Sequence, residues 1–235
     1  MSEYDSPTSQ IRYVNDFQSL VSTPFYGDVN AMCWTRKPEG NFEEIVRMLE
    51  SDEAIRVIDP DDLLQLALSP EGSLARHILL QDLSLLQDHG AAPVLNLIRN
   101  YERDTAYPFF PTDVYSYHVD RSPVPTDTFL CTYYGASSEL IANAWAEQKI
   151  QIPVIRKELE KLYEDAHGEQ EGFEDFLKAH FFDLHYQAMP GAKPVNLGLG
   201  HIWRLAVDYP DSPVLPCVHR APREKDGEPR LLLIC

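Results

Sequence analysis

The sequence predicts an α+β fold, with helices over roughly the first 90 residues and then a β core interrupted by two more helices. Three observations point there. Apolar residues recur at helical spacing up to Gly90; short apolar or alternating runs bounded by Pro and Gly then take over; helical spacing returns between about 153 and 185 before strand-like runs resume. A helical layer packed on strands, with a helical insertion between them, satisfies all three.

Taken in order, residues 1–30, with the runs SEYDSPTSQ and STPFYGD, read as a loosely ordered arm ahead of a single domain at 31–235. In NFEEIVRMLES, Phe42, Ile45, Val46 and Leu49 share one helical face, with Asn41 as cap and Glu44 three residues on. Asp59 and Pro60 open a second helix that stops before Pro70. A third runs from a Ser73 cap to Gly90, completing a helical layer over 41–90. PVLNLIRNY opens a core spanning 94–235 and reads as a strand, as do DVYSYHVD and DTFLCTYYG; SSELIANAWAEQ reads as a short helix. The insertion at about 153–185 holds two acidic helices, one with Ile155, Leu159, Leu162 and Tyr163 on a face, the other with Phe173, Phe176, Leu177 and Leu184. They are most simply a solvated cover. LGHIWRLAVD, VLPCVHRAP and PRLLLIC return to strand.

Composition narrows the function. The chain has 235 residues, 44% of them hydrophobic, and a formal charge of -17. So acidic a surface repels phosphate backbones, which argues against nucleic acid and against anionic membranes as partners. A small zwitterionic or cationic molecule suits the field better, and an anionic co-substrate needs an Arg aimed at it. No run approaches the ~18 apolar residues of a membrane span, and no basic-then-apolar leader is visible, so the expected compartment is the cytoplasm. Cys33, Cys131, Cys217 and Cys235 are too scattered for a disulfide framework or a structural zinc site. Oligomeric state is not encoded in any of this.

The sharpest chemical feature is His118-Val119-Asp120 at the end of an expected strand. Residues two apart in extended chain share a face, so this imidazole and carboxylate can meet one ion. His219, in VLPCVHRAP, is the best third ligand, and two His with one carboxylate leave open positions on a metal. Arg230 follows eleven positions later, beyond the Gly-containing turn EKDGEP. A hairpin would bring it alongside His219, where a guanidinium can grip a dicarboxylate.

HxD, a distal His and an Arg about ten residues on, standing here as His118, Asp120, His219 and Arg230, resemble the signature of the Fe(II)/2-oxoglutarate-dependent oxygenases. The match covers roughly residues 94–235, and HVDRSP with TDTFLCTYYG looks like a less-characterised branch. The resemblance implies a double-stranded β-helix, that is, a jelly-roll or cupin-like core. It also implies Fe(II), 2-oxoglutarate as co-substrate, O2, and oxidation (most commonly hydroxylation) of an aliphatic C–H bond in a small, amino-acid-like metabolite. Leu232 stands where the family's Ser follows the Arg, so the second carboxylate anchor falls to Thr132, Tyr134 or Tyr117.

Each signal has a plainer alternative. His201 is the rival third ligand but lacks an Arg at the family distance, and His180 and His185 read as structural residues of a helix. Arg121, Arg99, Tyr115 and Trp203 are the candidate substrate contacts, with Asn96 as a further wall residue; for each, packing or a surface role competes. Arg220 should point away from the metal by alternation. The competing functions are a cupin-like metal dioxygenase or hydrolase that does without 2-oxoglutarate, and a non-catalytic jelly-roll binding protein.

Overall fold

The computed structural model describes residues 7–168, 172–223 and 228–235. In chain order the elements are β1 (Ile11–Val14), α1 (Phe17–Ser22), β2 (Ala31–Trp34), α2 (Phe42–Met48), β3 (Ile55–Ile58), α3 (Pro60–Leu64) and α4 (Pro70–Asp88). There follow β4 (Val94–Ile98), β5 (Tyr117–His118), β6 (Asp127–Tyr134), β7 (Glu139–Leu140) and β8 (Ala146–Gln148). Helices α5 (Pro153–His167) and α6 (Phe173–Ala179) precede β9 (His185–Ala188), β10 (Val195–Asn196), β11 (Ile202–Ala206), β12 (His219–Arg220) and β13 (Arg230–Ile234).

The result is a mixed α+β structure with two sheets. The larger has the order β1-β2-β11-β6-β13-β4-β3 and the smaller β10-β7-β12-β5-β9-β8. From β4 onward the chain crosses between them: β4, β6, β11 and β13 belong to the large sheet, β5, β7, β10 and β12 to the small one. Within each group of four, every neighbouring pair is antiparallel.

Side-chain alternation gives each sheet two distinct faces. The outer face of the large sheet buries Leu95, Leu97, Phe129, Cys131, Leu231 and Leu233 against Ile45 of α2 and Leu79, Leu83 and Leu86 of α4. Each fully buried Leu there contributes about 1.5–3 kcal/mol. Its inner face, with Ile98, Leu130, Trp203, Leu205 and Leu232, meets Leu140 and Cys217 of the small sheet. Tyr117, Val119, Ile141 and Val218 pack on the far side of the small sheet. Helices α5 and α6 form a satellite cluster with Phe110, Ile150 and Phe182.

The helical layer is present but shares its stretch of chain with strands. Asn41 caps α2 as expected, accepting from the Glu44 N–H at 3.0 Å. The Glu44 carboxylate instead accepts from Ser69 N at 2.8 Å and Ser69 Oγ at 2.5 Å. The cap of α4 is Ser69, not Ser73: its hydroxyl accepts from Gly72 N at 3.0 Å, and Pro70 occupies the first turn, where a missing N–H costs nothing. α3 stops at Leu64, and β3 lies where helix was expected, because Ile55–Ile58 completes the sheet edge beside β4. Within the expected arm, the described residues from 7 onward are structured: β1 pairs in parallel with β2, and Asp16 caps α1. SSELIANAWAEQ, read as a short helix, instead holds β7, one 3-10 turn at Asn143–Trp145 and β8. Glu139 and Leu140 pair with Arg220 and His219, and that ladder overrides helix propensity. Among the described residues no helix is long and apolar enough to cross a membrane.

Candidate metal centre

One row of side chains crosses the inner face of the small sheet. Leu140 stands opposite His219, His219 opposite His118, and His118 opposite His185. Residues directly opposed in an antiparallel ladder project to the same side. The His118 and His219 rings are accordingly 4.6 Å apart, and those of His118 and His185 5.9 Å. Asp120, two residues beyond His118, turns back to the same face. His118 Nε2 lies 3.9 Å from Asp120 Oδ1 and His219 Nε2 3.7 Å from Oδ2. One ligand atom from each of the three residues falls within 4.8 Å of the others, a span a single ion can bridge.

Both imidazoles are held in the orientation a metal needs. His118 Nδ1 lies 2.8 Å from the Ser116 carbonyl and His219 Nδ1 3.1 Å from the Cys217 carbonyl. A carbonyl only accepts, so the ring proton sits on Nδ1 and the Nε2 lone pair faces the cluster. The Thr128 hydroxyl donates to Asp120 Oδ2 at 2.5 Å, fixing the carboxylate. Burial, reinforced by the neighbouring His219, pushes His118 down to about 4. Burial alone would raise Asp120, but His219, the Thr128 hydroxyl and His118 together bring it below the usual carboxylate range. At neutral pH His118 is thus a neutral nitrogen donor and Asp120 an anion, a set that suits a divalent first-row metal.

Arg230 approaches from the opposite sheet. It opens β13 on the same face as Leu232, which belongs to the cluster between the sheets. The expected hairpin is therefore corrected: β12 and β13 lie in different sheets, and part of the turn (224–227) is outside the described residues. Arg230 is 4% exposed. It donates from Nη2 to Ser138 Oγ at 3.2 Å and from Nη1 to Tyr101 Oη at 3.4 Å, while its Nε has no partner. No carboxylate accepts from it among the described residues. Burial lowers its pKa, as expected for a guanidinium without a counter-charge. Room beside it is small, a cavity of about 10 Å³ that it shares with Ile98, Arg99, Tyr101, Ala136, Pro222 and the acid Glu228.

The remaining sequence-derived positions separate by face. Thr132 lies directly opposite Leu232, and its buried hydroxyl has no partner. Tyr134 packs against the outer cluster and Tyr117 faces the far side of the small sheet under the Arg220 guanidinium, so neither supplies the second anchor. The hydroxyls at Arg230 are those of Tyr101 and Ser138. Tyr115 accepts from Tyr101 N at 2.9 Å and supports that tyrosine rather than lining the metal site. Arg121 is held by Asp183 at 2.6 Å and Asp208 at 2.7 Å, and Arg99 pairs with Glu50 at 3.0 Å. Trp203 is core, its Nε1 donating to Leu197 O at 2.8 Å. Asn96, opposite Leu232 on β4, is a buried wall of the space between the sheets. His201 is no ligand, since its Nδ1 accepts from Arg36 N at 3.1 Å. Arg220 points outward and pairs with Glu139 at 2.8 Å. His180 stacks on Phe182, a structural role.

His185 overturns its helical reading, for it begins β9 beside His118. Alternation in HYQA, with the next tyrosine on the outer face, was the available signal; the preceding helical spacing masked it. No family model, curated protein or solved structure matches the chain.

Proposed function

We propose that this protein is a non-haem Fe(II)- and 2-oxoglutarate-dependent oxygenase built on a double-stranded β-helix. The fold reading is supported by the crossing of eight strands between two antiparallel groups of four, β11-β6-β13-β4 and β10-β7-β12-β5. Jelly rolls are eight-stranded double sheets of this general kind. The site reading rests above all on one observation: a buried guanidinium without an acidic partner projects between the sheets, facing the sheet that carries a His-Asp-His cluster.

His118, Asp120 and His219 would hold the metal, leaving positions open. Arg230 would bind the far carboxylate of 2-oxoglutarate, with the Ser138 and Tyr101 hydroxyls beside it. The positive charge fits; the cavity of about 10 Å³ means that entry displaces a neighbour. When bound, Fe(II) with 2-oxoglutarate and O2 supplies the oxidising power to convert an aliphatic C–H to C–OH, with release of succinate and CO2. The chain's own contribution is to fix the tautomers, orient the carboxylate through Thr128 and keep water from the space between the sheets.

Anaerobic titration with Fe(II) and then 2-oxoglutarate tests this. The expected result is one Fe(II) per chain, a weak visible charge-transfer band on adding 2-oxoglutarate, and loss of both in His219→Ala. The small cavity at Arg230 favours a second reading, a metal dioxygenase or hydrolase that needs no 2-oxoglutarate. Metal binding without the band would select it, and failure to bind any divalent metal would remove both.

A further inference from the structure

The row of inner-face residues continues past the proposed ligands. His185 follows His118, and Lys149, one residue beyond the β8–β9 pairing of Gln148 with Tyr186, comes next. At the other end, Ser138 is two residues from Leu140, the partner of His219, and Ser138 is where Arg230 arrives. The metal cluster therefore has two unlike flanks: Arg230 on the His219 side, and His185 with Lys149 on the His118 side.

The second flank contains polar groups that the fold leaves unused. His185 is 5% exposed and its Nδ1 has no hydrogen-bond partner. Lys149 donates to Ser116 Oγ at 2.6 Å and Pro111 O at 3.3 Å, and lies 5.0 Å from the Phe110 ring centre. An ammonium has three donors, so one remains, and none of these partners is an acid. Two acids face this corner from the loop at 104–113, and both are committed to that loop. Asp104 accepts from Thr112 N, Thr112 Oγ1 and Ala106 N, while Asp113 accepts from Tyr115 N and Asp104 N. Phe110, fully buried, is 6.2 Å from the His185 ring and closes the apolar side.

We propose that the substrate binds on the His118 flank through a carboxylate held by Lys149 and His185. The proposal rests on the metal-centre reading and adds its substrate class. The group to be oxidised then lies toward the metal, with the recognised carboxylate pointing away from Arg230, so that two anions occupy the site without sharing a cation. Lys149 also holds Ser116, whose carbonyl fixes His118, which links substrate recognition to the ligand's orientation.

The test is calorimetric titration of the Mn(II)-loaded protein with each common L-amino acid and with its carboxamide. At least one acid should bind about tenfold or more tightly than its amide, the size of one charge-assisted contact. Lys149→Gln and His185→Leu should each weaken that acid, and Lys149→Gln should bring acid and amide to near equality. Lys149→Arg, which keeps the charge, should retain the preference, and every variant is compared at full Mn(II) occupancy, checked by electron paramagnetic resonance. The proposal is overturned if no acid is preferred to its amide, or if the preference survives both Lys149→Gln and His185→Leu. Should the wild type fail to bind Mn(II), the metal reading falls by itself, and the acid–amide comparison on the metal-free protein still decides the carboxylate site.

Discussion

Replacing Arg230 with Met should move stability and ligand affinity in opposite directions. The guanidinium is 4% exposed and makes two hydrogen bonds, at 3.2 and 3.4 Å, both to neutral hydroxyls. Bonds to a charged donor are worth about 1.5–3 kcal/mol each, and the length of these puts the pair near ~2–3 kcal/mol together. Against that stands the cost of burying a cation with no counter-charge, about several kcal/mol after relaxation. Met is unbranched and flexible enough to fill the space of the Arg stem. The balance is a gain of about 1–3 kcal/mol for the ligand-free protein, or roughly 3–10 °C in Tm at this chain length. 2-Oxoglutarate should meanwhile lose about 2–5 kcal/mol of binding, the cost of truncating one partner of a buried charge pair. That is a weakening of about 30- to 4000-fold. Differential scanning fluorimetry and anaerobic titration read the two effects on one preparation. A variant that melts clearly below wild type, or that binds 2-oxoglutarate within about threefold of it, would refute this account of Arg230.

Asp82→Ala should be the most damaging change outside the site. Asp82 is 1% exposed and accepts from Arg36 and from Tyr133, so its loss leaves a half-buried cation without its acid and a buried hydroxyl without its acceptor, at about 3 kcal/mol. Glu43→Ala, which removes an exposed pair with Arg47 at 3.6 Å, should cost under about 0.5 kcal/mol, and urea titration of both variants measures the contrast. Ser69→Ala should cost about 1 kcal/mol through the α4 cap. Because Ser69 holds the Glu44 pKa below its ordinary 4.5, the contribution of Glu44 is full above that pH and is lost as pH falls through the lowered folded value. The stability gap between wild type and Glu44→Gln should accordingly close on acidification; a gap independent of pH would count against it. Gly135→Ala should cost more than about 2 kcal/mol, since a Cβ there meets Pro229 O at 2.4 Å at a φ of +82°. Gly90→Ala, at a φ of +92° with nothing within 4 Å, is the control for backbone strain alone.

The parts of this molecule legible in its sequence are those decided locally. Asn41 with its helical face gave α2 to within a residue, and DTFLCTYYG and PRLLLIC gave β6 and β13, because long β-rich runs leave few alternatives. Two-residue strands are different. β5 and β12 lie inside the strand-like runs DVYSYHVD and VLPCVHRAP, whereas β7 lies in a run read as helix; which partner each finds, His118 with His219 and His219 with Leu140, no local pattern announces. The same reason hid His185: its chain neighbours continue a helical spacing, and only the ladder to β5 places it beside His118. Pro70 misled in another way, since the residue that ends one helix also opens the next when a Ser precedes it.

The spacing between His219 and Arg230 was read as adjacency within one hairpin, and the topology makes it opposition. In a chain that alternates between sheets, consecutive strands face one another across a core about 10 Å deep. Adjacent placement would aim both side chains the same way, so that a guanidinium beside His219 would compete with the metal for the same volume. Opposed placement sets Arg230 across the inter-sheet core from the sheet that carries His118, Asp120 and His219, the arrangement that the proposed binding of a ligand chelating at one end and carrying a carboxylate at the other would use. The placement that corrects the hairpin is also the one the proposed chemistry calls for.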